Sequence, residues 1–140
     1  VGAELWVSGP VIEITLHGAD PAVPGETLEG IVDTGASVIC LDKRVAIRLG
    51  LTAVNRKPME VADGTMVEAT IYMAEMKVPG LGFSDWVEVF ALPMTRPSQR
   101  VLLGRSFLKN YIVTYNGPEG LFHYHRATAA SQGYYEDLDG

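Results

Sequence analysis

Apolar and polar side chains alternate over Val11-Ile12-Glu13-Ile14-Thr15-Leu16, the two-residue period of a strand with one face in a core. Leu5-Trp6-Val7 reads as a shorter strand before it, set off by Pro10, and Gly18, Asp20, Pro21, Pro24 and Gly25 supply turn chemistry after it. Thr27 to Val32 resumes as a strand that runs straight into Asp33-Thr34-Gly35. Asp42 is placed to cap a short helix through Leu49, with Gly50 as its stop, although Lys43 and Arg44 stand at the end where the helix dipole disfavours cations. Pro58 to Val78 predicts a hairpin with a two-residue turn at Asp63-Gly64, flanked by Met59, Val61, Val67, Ala69 and Ile71. Trp86 to Phe90 alternates again, Pro93 to Pro97 is a loop, and Val101-Leu102-Leu103 reads as a buried strand stopping at Gly104. Ser106 is then the expected cap of a helical turn holding Phe107 and Leu108. Tyr111 to Tyr115 and Leu121 to Tyr124, joined by Asn116-Gly117-Pro118-Glu119-Gly120, form a second expected hairpin.

At 140 residues and 47% hydrophobic side chains, the chain has the size and apolar content of one domain with a real core. That domain is expected over residues 1–126, with a mobile tail over 127–140, where the sequence turns small, polar and acidic. Scattered glycines and prolines favour short strands over long helices. A formal charge of -6 argues against nucleic acid as a partner, because phosphate binding rests on Lys and Arg. No apolar run reaches the roughly 18 residues of a membrane span, so no membrane contact is expected of this fragment. The sequence opens on Val1 rather than Met, as a trimmed or processed piece of a longer, even anchored, precursor would; it reads as a soluble domain, and whether it is cytoplasmic is not legible. Cys40, the lone cysteine, lies in the apolar run Val38-Ile39-Cys40-Leu41 and reads as a buried free thiol. His123 and His125 share one strand face with no third ligand in view, so no metal and no cofactor are expected.

Asp-Thr-Gly alone says little, since average residue usage places it by chance in on the order of one chain in forty of this length. Here it follows the apolar strand end Gly30-Ile31-Val32, continues as Ala36-Ser37, and is followed by the Asp63-Gly64 hairpin and then by Leu102-Leu103-Gly104-Arg105. This order resembles the retropepsins, the dimeric aspartic peptidases of retroviruses and their cellular and bacterial relatives, over roughly Leu5 to Tyr115. The resemblance implies a mainly β fold: a small closed retropepsin-like barrel with one or two short helices and a flap hairpin. It also implies a homodimer in which two chains each supply one such loop to a shared site. Asp33 then matches the catalytic aspartate, Thr34 the residue whose hydroxyl locks the two loops, and Gly35 and Ala36 the rest of the loop. Gly104 belongs to the apolar segment packed behind it, and Ala62, Asp63 and Gly64 form the flap tip over a peptide substrate.

The chemistry suits the residues. Peptide hydrolysis without a metal or covalent intermediate needs a base to activate water and an acid to protonate the carbonyl oxygen and the leaving amine. Two adjacent carboxylates sharing one proton supply both. A chain with a single Asp-Thr-Gly must take the second from another copy. Apolar lining is expected from Ile31, Val61, Met66 and Leu102, which favours apolar residues on either side of the cut bond. Three departures from the viral pattern stand out: Ser37 occupies the position of an aspartate that pairs with the arginine matched by Arg105, the chain continues past the viral end with the Leu121 to Tyr124 strand and the tail, which implies a differently built terminal dimer sheet, and the flap tip lacks a run of glycines. The rival reading, from another class, is a dimeric binding module that keeps the fold and has lost catalysis.

Overall fold

The computed structural model describes residues 9–61, 63–94 and 100–126. Among these residues nine strands and two short α-helices follow in the order β1 (Val11–His17), β2 (Glu26–Val32), β3 (Cys40–Asp42), α1 (Lys43–Arg48), β4 (Thr52–Glu60), β5 (Met66–Val78), β6 (Phe83–Leu92), β7 (Arg100–Leu103), α2 (Arg105–Leu108), β8 (Tyr111–Asn116) and β9 (Leu121–Arg126). The alternation that predicts β1 is also what closes the core. Ile12, Ile14 and Leu16 point inward and are almost wholly buried, while Glu13 and Thr15 face out. Each such side chain is worth about 1.5–3 kcal/mol relative to exposure.

Strands β1, β2, β7, β3, β6 and β5 pair in that order, and β5 returns to β1 through Glu75–Lys77 against Thr15–His17. The ring is a closed six-stranded barrel, so its edges are consumed by pairing and its inner face is filled by one apolar cluster that includes Leu41, Val45, Met76, Val89, Val101 and Leu103. Two of the contacts, β2 with β7 and β3 with β6, are parallel. They place the ends of β2 and β7 side by side, so the loops leaving both emerge together.

β4 lies outside the ring, bonded to β5 alone over Thr52–Glu60. Because β6 pairs with β5 only from Thr70 onward, Met66–Ala69 and their β4 partners Lys57–Glu60 project beyond the barrel as a two-stranded arm. Strand β4 begins earlier than the alternation indicates, since Thr52 to Lys57 is exposed and mostly polar and carries no buried face to read. Its tip also differs from expectation. Val61 donates to Thr65 at 2.9 Å and accepts from Gly64 at 2.9 Å, so three residues, not two, form the loop. Gly64 sits at φ 84, the left-handed bulge position that such a three-residue loop requires.

The α1 helix starts where expected. Asp42 accepts from the Arg44 amide at 2.8 Å, and the Arg44 guanidinium returns to the same carboxylate at 3.2 and 2.8 Å. Asp42 is only 1% exposed, and the Arg44 hydrogen bonds and charge hold its carboxyl below the usual range against the opposing effect of burial. A lowered folded value means that the unfolded chain takes up the proton first, so the stabilisation is complete above about the ordinary value of 3.8 and is lost as pH falls through the lower folded one. Asp42→Ala should therefore cost about 1–3 kcal/mol at pH 7. Thermal melts from pH 7 to 2 should show the gap from the parent closing below about pH 4; a gap that stays constant would contradict the assignment.

The β8–β9 hairpin forms as anticipated and lays Tyr111, Val113, Phe122 and Tyr124 on the barrel. Leu5–Val7, the Thr95–Gln99 part of the loop and the tail from Ala127 lie outside the described residues.

Candidate active site

Asp33 stands one residue beyond β2, where the ladder with β7 makes its last bond, from the Asp33 amide to the Leu103 carbonyl at 3.1 Å. The chain then turns on itself: Ala36 N–H donates to the Asp33 carbonyl at 3.2 Å, and Gly35 N–H donates to Asp33 Oδ1 at 2.9 Å. A carboxylate tied to the second amide after it is the Asx geometry that Asp-x-Gly sequences favour. Here it holds a half-buried carboxylate in the loop just past β2.

Behind this loop lies the turn that leaves β7. Arg105 N–H donates to the Ala36 carbonyl at 2.9 Å and Ser106 N–H to the Ser37 carbonyl at 3.0 Å. These loop carbonyls satisfy the first amides of α2, which explains why Ser106 is not its cap: Gly104 takes that position with no side-chain bond. Gly104 is fixed by space. A Cβ there would stand 2.2 Å from the Val38 carbonyl oxygen and 2.7 Å from that of Ala36. Thus Asp33, Thr34, Gly35, Ala36 and Gly104, singled out from the sequence, lie in one knot of two loops. Arg105 joins them, donating from Nη1 to the Thr34 carbonyl at 2.6 Å, so its partner is backbone and not the side chain at position 37.

A second apolar cluster lies outside the barrel core, at the base of the arm. Cys40, Ala69 and Leu92 are its buried members, with Val38, Met59, Val67, Phe90, Met94 and Leu102 packed against them. Cys40 pairs in register with both Phe90 and Leu102. Its thiol is pushed up to about 11, by burial first and then by the charge of Asp33, which places the cluster beside the carboxylate. Of the four residues expected to line a cleft, Leu102 alone belongs to this cluster. Met66 is 60% exposed and pairs with Glu60 on the face opposite Val67 and Met59, because neighbouring strand positions point to opposite sides. At the arm's tip the Thr65 amide donates to Asp63 Oδ1 at 2.8 Å, and hydrogen bonding from the Thr65 side chain first and its amide second holds that carboxyl below its ordinary range, so Asp63 is a turn former. Ala62 lies outside the described residues. His123 and His125 are exposed on β9, and the described residues contain no group of three or more His, Cys, Asp or Glu able to hold a metal.

The family model described as "gag-polyprotein putative aspartyl protease" matches residues 19–110. The chain belongs to this aspartyl protease family. The matched stretch contains the Asp33 loop, the projecting arm and the Gly104 turn, and ends before β8. Among solved structures, a retropepsin-like aspartic protease from Rickettsia conorii is 21% identical, with a TM-score of 0.51 over 84% of this chain and 94% of that one. The Simian Foamy Virus (mac) protease is 19% identical with a TM-score of 0.49 over 71% of this chain and 92% of that one. EIAV protease is also 19% identical, with a TM-score of 0.48 over 71% and 85%. No curated protein matches the chain. The aspartyl protease barrel contains no described helix long and apolar enough to cross a membrane.

Proposed function

We propose that this chain is an aspartic endopeptidase, active as a homodimer in which each copy supplies one Asp33. The observation that carries the reading is the Asp33 loop, with its carboxylate held by the Gly35 amide and its backbone closed on the Gly104 turn, in a chain with a single Asp-Thr-Gly. One carboxylate of the pair takes a proton from water as the oxygen attacks the peptide carbonyl carbon. The other gives its proton to the carbonyl oxygen. In the tetrahedral diol so formed, a proton then passes to the amide nitrogen, the C–N bond breaks, and the products are an acid and an amine. Two like charges held close cannot easily both ionise, so the pair carries one shared proton and titrates as a unit.

Thr34, exposed beside Asp33, is the residue whose hydroxyl would lock the two loops across the dimer axis. The projecting arm, with Asp63 and Gly64 at its tip, would close over an extended peptide, and the cluster of Met59, Val67, Phe90 and Leu102 would receive apolar side chains beside the cut bond.

The test is cleavage of unfolded protein and a peptide library between pH 4 and 7, with and without an aspartic-peptidase inhibitor. Inhibitable cleavage, with apolar residues flanking the cut bond, is expected. Specific activity should fall on dilution, because dimers dissociate by mass action and half a site is inert. A strictly monomeric species with full specific activity at every concentration would refute the shared site. Dimers that bind peptide and never cut it would establish the binding-module reading instead.

A further inference from the structure

The Thr34 carbonyl and the Gly35 amide belong to one planar peptide unit, so whatever fixes the oxygen also aims the N–H. Arg105 Nη1 donates to that oxygen at 2.6 Å, and Gly35 N–H donates to Asp33 Oδ1 at 2.9 Å. The result is a chain of two hydrogen bonds from a guanidinium, through a single peptide group, to the carboxylate. A charge-assisted bond at the oxygen polarises the amide and makes its N–H a stronger donor. Among the described residues Arg105 forms no ion pair.

We infer that Arg105 is a positioning residue for Asp33, acting through the Thr34–Gly35 peptide. This rests on the assignment of Asp33 as the catalytic carboxylate. The guanidinium fixes the plane whose N–H orients Asp33 Oδ1.

The full chain and its Arg105→Met and Arg105→Lys variants provide the test. Arg105→Met should lower kcat about ten- to a hundredfold with KM little changed, as expected of a misplaced reacting group. Arg105→Lys, which keeps a cation able to reach the carbonyl, should recover most of that loss. Amide hydrogen exchange reads the same relay without turnover: Gly35 should exchange about tenfold faster in Arg105→Met, with Ile14 and Leu41 unchanged. If the parent chain cleaves nothing, the proposed function fails and the exchange measurement alone decides the relay. Gly35 exchange within twofold of the parent would overturn the inference. A rise shared equally by the barrel amides would overturn it too, since Arg105 would then be supporting the fold in general.

Discussion

Asp33→Asn is expected to leave the barrel intact and to abolish peptide cleavage. The substitution is close to isosteric, and an Asn side-chain oxygen can still accept from the Gly35 amide, the bond that holds the parent carboxylate at 2.9 Å. The loop should therefore keep its shape. What disappears is the ability to take a proton from water and to share one with a second carboxylate. In a homodimer both carboxylates go at once, so the site loses its base and its acid together, and turnover should fall by at least about 10³-fold. Paired measurements of peptide turnover and thermal melting check this: the melting temperature should stay near that of the parent. Cleavage near the parent rate would mean that Asp33 is a turn residue and that the reaction, if any, is carried elsewhere.

Most of the architecture could be read from local pattern because the barrel's inner face demands strict alternation. Ile12, Ile14 and Leu16 announce β1, and Asp42 with Gly50 brackets α1 as its cap and its left-handed stop. Misreadings fall where that demand lapses. β4 is exposed nearly throughout, so nothing in Thr52 to Lys57 marks it as a strand before it pairs. β3 is three residues long, too short to show a period, and is fixed by neighbours on both sides. Ser106 looks like a cap in sequence because Ser often is one, yet the helix amides are met by the Ala36 and Ser37 carbonyls, 69 positions away in the chain. The same holds for the site. The Asp33 loop is contiguous and therefore legible; the Arg105 contact with Thr34 spans 71 residues and becomes visible only once β2 and β7 lie parallel. Lining residues are set by strand register, which no local pattern carries. Met66 and Val67 are adjacent and both apolar, and only the register with Glu60 and Met59 decides which of them faces the cluster beside Asp33.

Gly104→Ala should show how tightly the two loops depend on each other. The backbone at Gly104 has φ -83, which any residue can adopt, so conformational freedom is not what the position requires. It requires room. An alanine methyl would sit 2.2 Å from the Val38 carbonyl oxygen and 2.7 Å from that of Ala36, and neither is the movable end of a side chain. Val38 is followed at once by Ile39, whose carbonyl accepts from Phe90 at 2.8 Å, and the Ala36 carbonyl accepts from Arg105 at 2.9 Å. Relief must come from separating the Asp33 loop from the Gly104 turn, which breaks the Arg105–Ala36 and Ser106–Ser37 bonds that satisfy the start of α2. A loss of about 2–4 kcal/mol in urea unfolding is expected. Turnover measured on the fraction still folded should fall about a hundredfold, because a displacement near 1 Å at a reacting group is enough for that. Gly50→Ala is the contrasting case: φ is +63 and no atom lies within 4 Å of the added carbon, so it should cost about 1 kcal/mol of strain and leave turnover alone. If the two variants behave alike, the Gly104 turn does not hold the Asp33 loop, and the catalytic geometry must be set by the dimer partner instead.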